Sequence, residues 1–298
     1  MLTAPFNVQS PVPRFRTTSP GELLWLSLRD LYGSKSNEFP AAAFFDLTTW
    51  AEPSGAMSHF FADLVISLAV YKILKAGKRI EKEENLFGNS LHTEAGEEIF
   101  QARMREYLVE FLGISFLDSG GLRVLPHLAL LSLKVSRKDI EMSSRTWTLN
   151  ESRNLSVDAC IRCYCCGRLL LSSLGGSLKH IPLDHVWPRS LGGVSTEENL
   201  LPICDDCNGA KTDRLSWSIY GIVQDYAAVT QTGNADLMLS LALQRRAAVK
   251  LGETNYITLK EAFLILGPSE PLADVDADET RSFFNLTSHN ASKLSSLW

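Results

Sequence analysis

All six cysteines of this 298-residue chain lie in one short stretch, between Cys160 and Cys207. Two pairs have the C-x-x-C spacing: Cys163 with Cys166 and, after 37 intervening residues, Cys204 with Cys207. Two thiolates from one tight turn can occupy neighbouring corners of a tetrahedron, and a second turn supplies the other two corners. The spacing therefore predicts a structural Zn²⁺ site with these four cysteines as ligands.

One alternative for the first pair stays open. Cys160 and Cys163 have the same spacing, but only Cys166 is followed by a glycine, Gly167, which can take the positive φ that such a turn often needs. We favour Cys163 with Cys166, and expect Cys160 and Cys165 to be small packing residues. Disulfides are disfavoured because a disulfide framework usually spreads its cysteines along a short secreted chain.

Composition and charge restrict the class of protein. Hydrophobic residues make up 45% of the chain, enough for a packed core, which excludes a disordered protein. The first ten residues lack the basic start and apolar run of an export signal, so we expect a cytoplasmic protein. The longest apolar stretch, 60–74, is interrupted by Asp63 and Lys72, so we expect a buried helix and no membrane association. The net charge of −5 argues against binding nucleic acid by bulk charge.

Helical patterns flank the cysteine block on both sides. The first helix is predicted to open at Ser19-Pro20-Gly21-Glu22 and to stop at Gly33, because a capping residue, a first-turn proline and a reaching glutamate come in order. A capping box, Thr258-Leu-Lys-Glu261, should open the last helix, which extends to Leu266. Periodicity predicts three further helices, over 58–76, 94–112 and 237–249.

The chain between these helices suggests three parts. Residues 114–125 have the pattern of two short strands around a glycine turn, which permits a winged-helix interpretation, and 136–156 have the composition of a linker. We therefore predict a mainly helical N-terminal domain over 1–150, a small domain over 151–220 and a helical C-terminal region over 221–298.

A second set of residues lies between and after the cysteine pairs. It consists of Asp184-His185-x-x-Pro188-x-Ser190-x-Gly192-Gly193, then Asn199-Leu200, then Cys204-x-x-Cys207-Asn208-x-x-Lys211. This pattern, which covers about fifty of the residues, resembles that of the HNH nucleases. The resemblance implies an α+β chain in which a small ββα-metal nuclease domain, with the four-cysteine zinc site, lies between helical flanks.

The residue types suit phosphodiester hydrolysis. An unperturbed imidazole has a pKa near 6.5, so the residue type of His185 suits a general base at neutral pH. Asp184 and Asn208 offer hard oxygen ligands for one Mg²⁺ or Mn²⁺. Adjacent side chains on a strand point to opposite sides, so Asp184 and His185 should separate the cation from the base. The resemblance gives Asn199 the task of fixing the loop that carries the base.

Two features refine the predicted site. A helix beginning near Asn208 should place Asn208 and Lys211 on one face, with Lys211 as a phosphate contact beside Arg189 and Arg214. Some HNH proteins carry a histidine where this chain has Thr212, and its absence favours Mg²⁺ or Mn²⁺ over a three-histidine site.

These features together predict an HNH endonuclease that cuts DNA with a single catalytic metal, although the motif does not distinguish DNA from RNA. The motif reads no sequence by itself, so we expect the flanks or a protein partner to supply targeting. We expect a prokaryotic restriction or antiviral defence role, as one subunit of a larger complex. The alternative is a catalytically inactive zinc-ribbon module that binds nucleic acid or protein.

Overall fold

The computed structural model describes residues 14–33, 55–110, 121–143, 161–170, 182–211 and 235–268. The helices in these ranges are α1 (Pro20–Gly33), α2 (Gly55–Leu86), α3 (Glu94–Glu110), α4 (Gly121–Ser143), α5 (Asp205–Lys211), α6 (Ala235–Asn255) and α7 (Leu259–Leu266). Strands β1 (Leu183–His185) and β2 (Leu200–Pro202) form one antiparallel hairpin, and two 3₁₀ turns lie between them (Arg189–Leu191 and Glu197–Asn199).

Both predicted helix caps are confirmed. The backbone N–H of Glu22 donates to Ser19 Oγ, and Glu22 Oε2 accepts from the backbone N–H of Ser19 at 2.8 Å. Thr258 makes the same reciprocal pair with Glu261 at the start of α7. These bonds satisfy backbone donors that a helix leaves without intrahelical partners, and so they fix where α1 and α7 begin.

Helices α1 to α4 pack on one another. Helix α2 spans Gly55–Leu86 and is therefore longer than the predicted range of 58–76. On α3 the predicted apolar stripe is buried at Phe100, Met104 and Leu108. Gly77 allows α2 to approach α3 and α4 closely, since a Cβ there would lie 2.9 Å from Leu133 and 3.3 Å from Met104. The result is a group of helices that share a buried apolar core in the described part of the chain.

The predicted strand pair over 114–125 is wrong in the part that the structure describes. Residues 121–125 belong to α4, and the first expected strand lies outside the described residues. Leu125, Leu128, Ala129 and Leu133 are buried at helical spacing, so the apolar alternation was the first turn of a helical stripe. Helix α4 also continues to Ser143, into the predicted linker.

The cysteine block shares one buried cluster with both flanks. The rings of Trp25 on α1 and Trp187 meet edge to face with centroids 6.4 Å apart. On the C-terminal side of the sequence, Phe263 of α7 meets the ring of Tyr164 edge to face with centroids 5.2 Å apart. The expected division at 150 and 220 stays a prediction, but helices before and after the block complete its packing. Among the described residues, no helix is both long and apolar enough to cross a membrane.

Candidate active site and metal centre

The β1–β2 hairpin carries the two central residues of the motif. Asp184 pairs with Leu201 and His185 with Leu200 in antiparallel register. Because successive side chains of a strand point to opposite faces, Asp184 is buried and His185 is half-buried. The strand therefore separates the carboxylate from the imidazole, as predicted.

Four sulfur atoms meet at one end of this hairpin. The Sγ atoms of Cys163, Cys166, Cys204 and Cys207 all lie within 4.8 Å of one another, and those of Cys166 and Cys204 are 3.8 Å apart. Zn–S bonds of about 2.3 Å in a tetrahedron separate sulfur atoms by about 3.8 Å. Number, spacing and chemistry of the ligands thus fit a tetrahedral Zn²⁺ site.

Local backbone geometry builds the first cysteine turn. Gly167 has φ 71°, and its N–H donates to the carbonyl of Cys163 at 2.9 Å. This is the positive φ for which glycine was expected after Cys166. The clustered sulfur atoms support the Cys163–Cys166 pair, and the rival ligand Cys160 lies outside the described residues.

Cys165 lies in the same turn but belongs to the core. Its side chain is buried, as expected of a packing residue, and burial raises the pKa of its thiol. Hydrogen bonds from the Cys165 and Cys207 thiols lower the pKa of Cys163. A thiolate at Cys163 is the form that binds Zn²⁺.

Asp184 is held by groups from three separate segments. Its Oδ1 accepts from Lys211 Nζ of α5 at 2.5 Å, and its Oδ2 accepts from the Tyr164 hydroxyl at 2.5 Å. The guanidinium of Arg245 on α6 lies 3.6 Å from Oδ2. Burial raises the pKa of Asp184 to about 6, because desolvation outweighs the opposing effects of Arg245 and of the Tyr164 hydrogen bond.

His185 is restrained by a neighbouring hydroxyl. Its Nε2 lies 2.8 Å from Ser195 Oγ, and its backbone carbonyl accepts from Lys211 Nζ at 2.6 Å. The ring therefore has a fixed orientation at the edge of the site, and it remains partly exposed.

Asn199 organises the loop that follows His185. Its Oδ1 accepts from the backbone N–H of Trp187 at 2.7 Å, and its Nδ2 donates to the carbonyls of Trp187 and Val194 at 3.0 and 2.8 Å. Its own carbonyl accepts from the N–H of Val186 at 2.9 Å. The buried amide thus bonds the backbone of the loop that follows His185.

Residues 163–214 match the family model described as HNH endonuclease. The chain carries an HNH domain. The matched segment includes both cysteine pairs, the hairpin and α5, and it ends before α6 begins. No curated protein and no solved structure matches the chain.

Helix α5 of the HNH domain corrects one prediction. It begins at Asp205, three residues before the expected start, and Asn208 is exposed whereas Lys211 is buried. The two residues lie one turn apart on α5 but differ in burial. Lys211 is 1% exposed and binds Asp184 and His185, so it does not reach a phosphate from this position. Its ammonium neutralises a buried carboxylate instead.

The other predicted nucleic-acid contacts have different outcomes. Arg189 is half-buried in the first 3₁₀ turn of the HNH domain. Arg214 and Thr212 lie outside the described residues. The predictions made for Arg214 and Thr212 therefore stay predictions.

Sequence reasoning missed three residues of the site. Tyr164 and Ser195 lie inside the HNH segment, and their polar side chains close to motif residues, Tyr164 beside Cys163 and Ser195 two residues after Gly193, were a usable signal. Arg245 lies on a helix predicted only from its periodicity, and nothing in the local sequence relates it to Asp184. The folded chain places its guanidinium 3.6 Å from the Asp184 carboxylate.

Proposed function

We propose that the chain is a metal-dependent HNH endonuclease that hydrolyses DNA phosphodiester bonds, with His185 as general base. The observation that carries this proposal is the hairpin, which holds a partly exposed imidazole beside a buried carboxylate inside a matched HNH segment. Hydrolysis needs an activated water, neutralised charge on phosphorus and a stabilised leaving oxygen.

His185 performs the first task in this proposal. Its imidazole takes a proton from the attacking water as the water oxygen bonds to phosphorus and the bond to the 3′ oxygen breaks. The 2.8 Å contact with Ser195 Oγ restrains the ring, and Asn199 holds the backbone that follows it. Restraint matters because a base must keep hydrogen-bond distance to the water it activates.

Asp184 and Asn208 would hold one Mg²⁺ or Mn²⁺. The oxygen atoms around β1 already stabilise positive charge, since Asp184 Oδ1 and the His185 carbonyl bind the Lys211 ammonium at 2.5 and 2.6 Å. A carboxylate and an amide oxygen are the hard ligands that these cations prefer, and Asn208 lies one turn before Lys211 in α5. Such a cation supplies charge neutralisation at the phosphate and the leaving oxygen.

The four-cysteine site has a structural task in this proposal. Its ligands come from two segments that flank the hairpin, so Zn²⁺ would join them across β1 and β2. A four-thiolate site has no open position for substrate, which separates it from the chemistry at His185.

Nucleic acid is the substrate that the HNH domain indicates. Within the described residues, the predicted contact that remains accessible is Arg189, between the two strands of the hairpin. Because the net charge is −5, we expect isolated affinity for DNA to be weak and dependent on the cation.

Plasmid cleavage tests this function. The purified full chain is incubated with supercoiled DNA and Mg²⁺ or Mn²⁺, beside His185→Ala and a control, His92→Ala, whose histidine is exposed and distant in sequence from the HNH domain. We expect His185→Ala to cut at least about 100-fold more slowly than the wild type, which is the effect expected for loss of a general base. His92→Ala should match the wild type.

Equal behaviour of the wild type and His185→Ala would reject the proposed base. A wild-type chain that binds zinc but cuts neither DNA nor RNA would favour the alternative, a zinc-bound interaction module. Running the RNA arm in parallel also decides which nucleic acid is cut.

We further propose a role in prokaryotic restriction or antiviral defence, with targeting by the helical flanks or by a partner in a larger complex. The support is that a short cutting motif shares its core with extensive helices on both sides. Purification of the tagged chain from its native host tests this, because a chain that purifies alone as a fully active, sequence-specific nuclease would reject the complex.

A further inference from the structure

We infer that Arg245 and Gln244 of α6 are positioning residues of the nuclease site and act on Asp184 through Tyr164. This inference rests on the proposed nuclease function. It makes the helix that follows the HNH domain a working part of that domain, although the family match ends before it.

The contacts form a continuous chain from α6 to the carboxylate. Gln244 Nε2 donates to the backbone carbonyl of Tyr164 at 3.0 Å, and Arg245 Nη2 donates to the Tyr164 hydroxyl at 3.1 Å. That hydroxyl donates to Asp184 Oδ2 at 2.5 Å. Helix α6 therefore holds both ends of the tyrosine, and the tyrosine holds the carboxylate.

The backbone and the ring of Tyr164 are also held by neighbouring groups. It lies between Cys163 and Cys166, so its backbone belongs to the first cysteine turn. Its ring meets Phe263 of α7 edge to face with centroids 5.2 Å apart. A ring held at its backbone, face and hydroxyl can place a hydrogen bond with little freedom.

The burial and charge of the groups around Asp184 favour a positioning role for them. Arg245 is 1% exposed and Asp184 5%, and Lys211 shares the same carboxylate. Well-packed apolar residues often replace such buried ion pairs without loss of stability. Two cations and one hydroxyl around a single carboxylate instead fix where its oxygen atoms point, which is what a metal ligand requires.

Conservative variants of the full chain test the inference. Tyr164→Phe removes only the hydroxyl, and Arg245→Gln removes the guanidinium but keeps a polar side chain. The control is Arg29→Gln, which breaks the half-buried Arg29–Glu253 ion pair between α1 and α6 and involves none of the residues that contact Tyr164. Circular dichroism and thermal unfolding establish that each variant is folded.

We expect Tyr164→Phe and Arg245→Gln each to lower kcat by about 10-fold or more with KM for DNA nearly unchanged. Because both act along one path, the double variant should lose less than the product of the two single effects. Arg245→Lys should recover part of the loss, since it keeps the charge without the planar donor pair. Arg29→Gln should keep wild-type kcat.

Metal binding gives a second readout that does not depend on cleavage. Free Mn²⁺ measured by electron paramagnetic resonance should show about 10-fold weaker binding to Tyr164→Phe than to the wild type. A folded Tyr164→Phe with wild-type kcat and wild-type Mn²⁺ affinity would overturn the inference. If the wild type cuts no nucleic acid, the proposed function fails, and equal or absent Mn²⁺ binding in both proteins then overturns the positioning role separately.

Discussion

Lys211 and Asp184 form an ion pair that is closed off from water on almost every side. Their side chains are 1% and 5% exposed, and Nζ lies 2.5 Å from Oδ1. Inside a protein, a lone carboxylate keeps its charge only at a high cost in free energy. Lys211 therefore contributes to folding mainly by keeping this carboxylate paired.

We predict that Lys211→Met lowers the free energy of unfolding by about 3–5 kcal/mol, because it leaves a buried charge without its nearest partner. Urea unfolding of the two proteins at neutral pH measures the difference. Lys72→Met is the matched control, since Lys72 is an exposed lysine on α2 and its loss should change stability by less than about 0.5 kcal/mol. A Lys211→Met protein as stable as the control would contradict this account of the pair.

The individual site residues were predictable to different degrees. Asp184, His185 and Asn199 were found because the motif places them at fixed spacing, and the backbone contacts of Asn199 follow from its short amide. The burial of Lys211 was not predictable, because it depends on the contacts of its ammonium with Asp184 and with the His185 carbonyl, which are 27 and 26 residues away in sequence.

The β1–β2 hairpin is too short to be stable by itself. Each strand has three residues, and an isolated two-stranded hairpin is at best marginal in water. One cysteine turn precedes the hairpin in sequence and the other follows it, and the N–H of Tyr164 in the first turn donates to the carbonyl of Pro202 at the end of β2. A metal ion bound by both turns would hold the hairpin closed.

We predict one tightly bound Zn²⁺ per chain, and loss of cooperative unfolding when a strong chelator removes it. Elemental analysis of the purified protein and thermal unfolding with and without chelator measure these outcomes. Cys207→Ser should lose most of the zinc, whereas Cys165→Ala should retain it, because the Cys165 sulfur is not one of the four clustered ligands. Folded protein that contains no zinc would show that the four thiols serve only packing.

Whole elements could be predicted where a cap or a long apolar stripe marked them. Helices α1 and α7 have capping boxes, and α3 has a clear stripe, so the sequence indicated all three. The second strand of the pair predicted over 114–125 was mistaken, since residues 121–125 are helical and a short apolar run has no period long enough to separate strand from helix. The apolar positions farther along α4 complete the helical stripe.

Close backbone contact joins the HNH domain to the first helix. The N–H of Gly21 donates to the carbonyl of Gly192 at 3.3 Å, and a Cβ on Gly21 would lie 1.9 Å from the carbonyl oxygen of Leu191. No side chain fits at that distance. The contact fixes α1 against the loop that follows His185.

We predict that Gly21→Ala destabilises the whole protein by about 2–3 kcal/mol, because the backbones must separate to admit a methyl group. Gly209→Ala is the control: a Cβ there meets nothing within 4 Å, and alanine favours the helical conformation of α5. Thermal unfolding should show a lower midpoint for the first variant and an unchanged or higher one for the second. Equal midpoints for both variants would mean that α1 and the HNH domain do not depend on each other.

The sequence was least informative about the whole molecule, that is, about its partners and the contacts between distant segments. The negative net charge argued against a nucleic-acid partner, but charge summed over a chain does not report the local field at a site. The contacts of α6 with Tyr164 join residues 80 and 81 positions apart, and no local pattern encodes such a meeting.

The order of synthesis gives the position of Arg245 a further meaning. A ribosome makes the chain from its N-terminus, so the hairpin and both cysteine turns emerge before α6 does. Arg245 follows Tyr164 by 81 residues, and a nascent chain that ends at Lys211 has the HNH motif without its arginine. On the proposed function and the inferred role of Arg245, full activity is reached only after α6 has been made, and truncated products that end before it should cut the DNA of the cell that makes them about 10-fold more slowly than the full chain.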